Sequence, residues 1–195
     1  MAIILRKEKP RLYKRYQSYK PYLRKDFNHR CAYCTLHEGE LGGGGQGSFC
    51  VEHFRPKRKF PELECTYSNL YYACRRCNSY KSDTWPSKKL INKGFFFVDP
   101  CKEDLYEKHT KEFKNGALKH TTNAGNYTIE KIRLNSKFLV KIRKQRSEAC
   151  KQIDKLHSDL ASLRRQGIAS PEYIDLIEKQ IELLRDSFLT PLIPD

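Results

Sequence analysis

Three features of the 195-residue chain predict an α+β fold. Two Cys-x2-Cys pairs, Cys31/Cys34 and Cys74/Cys77, bracket a short strand-like stretch that ends in Glu52-His53. Directly behind the second pair, "CNSYKSD" starts as a short helix. Beyond residue 145 two apolar seams recur at helical spacing. Together they predict two short strands and a helix around a four-cysteine metal site, with an α-helical hairpin appended. The chain divides into a basic arm over 1–30, a central domain over 31–145 and the hairpin over 146–195.

Charge sorts these parts. Thirty-eight Lys and Arg stand against 23 Asp and Glu, for a net +15 and a pI near 9.5. Residues 1–145 hold 31 basic against 14 acidic side chains, and residues 146–195 hold 7 against 9. A polyanion is therefore the expected partner of the first three quarters, nucleic acid ahead of an anionic membrane, and the tail has another task. No apolar run approaches a membrane span, and Met1 to Leu5 is too short for a signal-peptide core. The expected compartment is the cytoplasm, with no membrane partner.

The arm places Tyr13, Tyr16, Tyr19 and Tyr22 at every third residue among Lys14, Arg15, Lys20, Arg24 and Lys25. A helix stripe interrupted by Pro21 is expected, with the tyrosines packed on the body or the cations reaching phosphate. Of eight cysteines, four scatter and four pair. No secretory signal supports a disulfide scaffold, so the paired four read as ligands of one tetrahedral structural zinc, with free thiols as the alternative.

The 39 residues between the pairs open on "LGGGGQGSF", a flexible loop tip. A strand is expected over residues 49–53, ended by Arg55-Pro56, and "TYSNLYYAC" returns the chain. "GFFFVDP", residues 94–100, reads as a buried strand whose phenylalanines are core. In the tail, Ala149, Ile153, Leu156, Leu160 and Leu163 form one seam, and Ile174, Ile177, Ile181, Leu184 and Phe188 the other. Ser170 is the expected N-cap and Pro171 the first helical residue. Tyr173, Leu176 and Leu183 widen the second seam, which points to a second surface for another protein; the alternative is that the two helices pack only on each other and on the central domain.

The ordered series "CAYC", "VEHFRPK", "SNLYYACRRCNSYKSD" and Asp99-Pro100 resembles the HNH, or His-Me finger, endonucleases. "NSYKSDTWP" is similar to the matching helix in CRISPR effector nucleases. "EHFRPK" and "YTIEKIRLNSKFLVKIRK" resemble the HNH nucleases of Septu and retron-associated anti-phage systems. The resemblance implies a ββα-metal core acting as a metal-dependent DNA endonuclease in defence. It makes His53 the general base, a role its unperturbed pKa of about 6.5 suits. Glu52 and Asn78 become ligands of a catalytic Mg²⁺ or Mn²⁺, and oxygen donors suit such hard ions. Neighbouring strand residues face opposite ways, so a local twist is needed for Glu52 and His53 to act together. Asn69 would brace the loop that orients the imidazole, or is a simple turn residue. Arg55, Lys57, Arg58 and Lys81 are the expected nucleic-acid contacts, with a solvated lysine the alternative at Lys81. The same resemblance suggests an ATPase as the tail's partner.

Other readings are a zinc-dependent nucleic-acid binding module without catalysis, a recombination or homing nuclease, and a structural interaction protein. RNA serves as well as DNA for basic charge alone.

Overall fold

The computed structural model describes residues 6–41, 45–167 and 169–188, with backbone alone at 41 and 186–188. The glycines at 42–44, where the loop tip is expected, lie outside the described residues. The described chain is α+β, and its main core is aromatic. Strand β1 (Phe49–His53) pairs antiparallel with β2 (Leu70–Cys74), Phe49 opposite Cys74 and His53 opposite Leu70. All five residues of β2 are buried. The ring of Phe49 stacks on Tyr72 at 4.8 Å, and that of Phe54 on Tyr71 at 5.1 Å. Trp85 packs edge-on against Phe54 and Phe60 and reaches Phe97.

The arm is a strap on this core. Residues 6–15 run without regular structure, Tyr16–Tyr19 make a 3-10 turn, and α1 spans Lys20–Asp26. Pro21 sits in the first turn of α1, where its missing N–H costs nothing, so it opens a helix instead of interrupting one. Arg6 donates to the carbonyls of Tyr67 and Leu70 at 2.9 and 2.7 Å and lies over the rings of Phe27, Tyr67 and Tyr71. The Asp26 carboxylate accepts from the backbone of Lys7 and Glu8 at 2.8 and 2.9 Å and from the Tyr67 hydroxyl.

Helix α2 (Arg75–Lys81) starts on Cys74, whose sulfur accepts from the Cys77 amide at 3.5 Å. A short α3 (Lys88–Asn92) follows. Residues 94–100 are not a strand, although Phe97 and Val98 are buried as expected. Thr128 of α4 (Asn123–Ile132) takes a strand partner's place: its hydroxyl donates to Phe96 O and accepts from Val98 N. A small hairpin, β3 (Thr110–Glu112) with β4 (Leu118–His120), turns at Gly116. That residue needs glycine twice over, for its φ of +82° and because an added Cβ would strike the Val140 carbonyl.

Helix α5 (Lys137–Gln166) runs straight through the expected division at 145/146. Its first turns belong to the central body. Leu139 joins the core, buried Arg143 donates to Gly116 O and Leu134 O at 2.6 and 2.7 Å, and Arg146 pairs with Glu40. Gly167 ends α5 in the left-handed region, and Ser170 caps α6 (Pro171–Phe188) through Tyr173 N. Ile153, Leu160, Ile177 and Ile181 then form a second, separate core, with Leu156, Leu163, Ile174 and Leu184 around it. The side chain of Phe188 lies outside the description. No described helix is long and apolar enough to cross a membrane.

Candidate metal centre and histidine site

The ends of β2 and α2 and the turn at 31–34 bring Cys31, Cys34, Cys74 and Cys77 together, all buried, with every sulfur within 4.8 Å of the others. Zn–S bonds of about 2.3 Å in a tetrahedron put sulfurs about 3.8 Å apart. Cys34 and Cys74 Sγ are 3.8 Å apart. The crowding drives the thiols apart in acidity. Hydrogen bonding with Cys31 first of all raises Cys34 and Cys77, while bonds from Cys31, Cys34 and Cys77 hold Cys74 low. Such a donor set can hold a metal ion such as zinc.

His53 ends β1 and is 8% exposed. Its Nε2 lies 2.9 Å from the Glu64 carbonyl. A carbonyl only accepts, so neutral His53 carries its proton on Nε2 and keeps a free lone pair on Nδ1. Burial lowers its pKa, the Glu64 carbonyl raises it again, and Lys57 lowers it. The imidazole is therefore neutral at pH 7. The Tyr16 ring meets it edge-on at 4.7 Å, and Lys57 Nζ lies 4.6 Å from the centre of that ring.

Glu52 points elsewhere. Its carboxylate accepts from Lys81 Nζ at 2.6 Å and from the Tyr33 hydroxyl at 3.0 Å, out of solvent. Burial raises its pKa and the Lys81 ammonium draws it back down. Lys81 is 0% exposed and also donates to His53 O at 2.9 Å. This corrects the expected phosphate contact: Lys81 is an internal cation that clamps β1. The pleat is not undone by a twist, and Glu52 and His53 engage different partners.

Asn69 is buried and brackets the loop after β1, accepting from Arg55 N at 2.8 Å and donating to Arg55 O at 3.0 Å. Asn78 is half-buried one turn before Lys81 on α2, with no side-chain hydrogen bond among the described residues. Arg55 is exposed over the rings of Phe60 and Trp85. Lys57 pairs with Glu64, and Arg58 with Asp83, each at 3.1 Å. Sequence reasoning missed Tyr16, Tyr33 and the Glu64 carbonyl. The three-residue tyrosine period marked Tyr16 as special, but nothing local tied it to residue 53.

No family model matches the chain. It is similar to the Septu protein PtuB of Bacillus thuringiensis, 33% identical over 122 residues, covering 60% of this chain and 42% of the relative. It is also similar to the Septu protein PtuB of Bacillus mycoides (strain KBAB4), 28% identical over 148 residues, covering 60% and 48%. The chain thus spans less than half the length of each of these curated relatives.

Proposed function

We propose that the chain is an HNH-type endonuclease that hydrolyses phosphodiester bonds in DNA, in bacterial anti-phage defence. The observation that carries the reading is His53, buried neutral with Nε2 tied to the Glu64 carbonyl and Nδ1 left as the acceptor. In that role Nδ1 takes the proton from the attacking water. The β1–β2–α2 unit is read as the ββα-metal core, with structural zinc in the four-cysteine cluster. Its relatives carry the Septu name, which supports the defence role, and the hairpin is read as the seat of a partner, a defence-system ATPase.

The resemblance assigns a divalent ion to Glu52 and Asn78. A carboxylate and an amide oxygen are donors of the right kind. Lys81 already stands 2.6 Å from that carboxylate, however, so the described arrangement does not fit an ion at Glu52. That same closure favours one second reading, a zinc-dependent nucleic-acid binding module.

One assay separates the two. Purified protein is incubated with plasmid, linear duplex, single-stranded DNA and RNA, each with Mg²⁺, Mn²⁺ or EDTA, with and without proteins that copurify. Cleavage is expected, with His53→Ala slower by about 10²–10⁴-fold and its fold intact. Because the folded pKa of His53 lies below its ordinary value of about 6.5, the rate should hold as pH falls through 6.5 and drop only below it. Undiminished cleavage by His53→Ala overturns the general base. Binding without cleavage in every arm favours the module.

A further inference from the structure

We propose that the groove between the arm and the loop after β1 is the seat of the nucleic-acid backbone, gripped by Lys14, Arg15 and Lys57. The inference rests on His53 being the reacting histidine and names what flanks it. An open cavity of about 710 Å³ is lined by Lys14, Arg15, Tyr16, Gln17, Ser18, Lys57, Glu64 and Cys65. That volume falls within the range of ligand sites, and the groove is open to solvent along its length. It abuts the histidine directly, since Tyr16 and Glu64 line the groove and also touch His53.

The charge is arranged for phosphate. Three cations face one carboxylate, and Glu64 spends that carboxylate on Lys57 at 3.1 Å. Lys14 and Arg15 are exposed and have no carboxylate partner among the described residues. Their backbone is nonetheless fixed. The Tyr13 amide donates to the Tyr19 hydroxyl at 2.9 Å, and the Cys65 thiol donates to Lys14 O at 3.4 Å. Pinned backbone with unpaired cations is how a chain presents charge to a ligand without spending it on itself. Gln17 and Ser18 add neutral hydrogen-bonding groups, and Tyr16 offers a ring on which a base can stack.

The test is charge reversal at the groove, Lys14→Glu with Arg15→Glu, against the same reversal at exposed Lys88 and Lys89 on α3, which changes net charge equally. Binding is read by fluorescence anisotropy with labelled single-stranded DNA, duplex DNA and RNA, in the wild-type chain and in His53→Ala. The groove variant should bind on the order of tenfold to a hundredfold more weakly, with a salt dependence shallower by about two ion equivalents. The α3 variant should stay near wild type. Where cleavage is measurable, KM rises and kcat holds, because the lost contacts are uniform binding. Equal losses in both variants, or an unchanged salt slope in the groove variant, overturn the proposal. Binding does not need catalysis. A chain that never cleaves but loses affinity through Lys14 and Arg15 keeps the groove and loses the nuclease reading. One that cleaves with affinity unmoved does the reverse.

Discussion

The central body and the C-terminal hairpin are held together by different physics. Among its described residues the body has only two-stranded sheets, and it compensates with a four-sulfur cluster, stacked aromatic rings and the buried Lys81–Glu52 pair. The hairpin has no metal cluster among its described residues and depends on one aliphatic seam. They share a single helix, α5, whose first turns are bolted to the body by Arg143 and Arg146 and whose remainder meets only α6 among the core clusters. A body built of polar clamps tolerates little substitution at those clamps. A hairpin built of a repeated seam fails locally and in proportion to the volume removed.

Emptying the four-cysteine site of the zinc it is proposed to hold should break the comparison most severely. Structural zinc in small domains contributes about 10–16 kcal/mol to folding, comparable to the whole stability of an ordinary domain. Cys74→Ser, or strong chelation, should therefore abolish near-ultraviolet circular dichroism and shift the emission of Trp85, which sits among Phe54, Phe60 and Phe97. Metal analysis of the wild-type protein should find one zinc per chain. Folded, zinc-free protein would refute the structural ion.

Lys81 comes next. Lys81→Met leaves the Glu52 carboxylate buried opposite no cation, a change that costs about 3–5 kcal/mol. Urea unfolding followed at Trp85 measures it. Adding Glu52→Gln to the same protein should recover most of the loss, since an apolar and a neutral partner replace two charges. If the double variant is no better than the single one, the pair is not what clamps β1.

Those two sites also mark how far the sequence could be read. The paired cysteines, the strand ending at His53 and the Ser170-Pro171 start of α6 were legible because each rests on local spacing or capping chemistry; the helix expected behind Cys77 is present but begins earlier, at Arg75, inside the second pair. Residues 94–100 were not, because the partner of Phe96 and Val98 is a threonine hydroxyl some 30 residues away. The β3–β4 hairpin carried a local signal in Asn115-Gly116 that the apolar pattern around it hid. Lys81 looked like a surface cation by helical position, and only its contact with residues 52 and 53 makes it internal.

Within the hairpin, Ile181→Ala should cost about 2–5 kcal/mol, the usual range for a buried isoleucine. The effect should stay local. Amide exchange in α6 and the later turns of α5 accelerates, while the Trp85 transition hardly moves, because the two clusters share no residue. The matching change in the body, Leu70→Ala, should lower the Trp85 transition directly. A Trp85 shift in both variants would mean that the chain unfolds as one unit.

The smallest effect on stability is expected on the outer face of α6. Tyr173, Leu176 and Leu183 are 52%, 61% and 67% exposed, and they lie 3 and 7 residues apart, along one side of the helix. The seam with α5 uses Ile174, Ile177, Ile181 and Leu184 instead, so these three contribute nothing to the hairpin's own core. Leu176→Glu with Leu183→Glu should therefore change unfolding free energy by no more than about 0.5 kcal/mol per site. Partner association should respond very differently, since two charges in the middle of an apolar contact are left desolvated and unpaired. Copurification from a native host, quantified for wild type, this variant and a chain ended after Cys150, reads the outcome. The cut belongs after residue 150 and not at 145, because Arg146 pairs with Glu40 and donates to Thr35, and its removal would damage the body itself. Retention of the partner by the double variant would move the contact off α6, and a wild-type protein that brings down no partner would remove it.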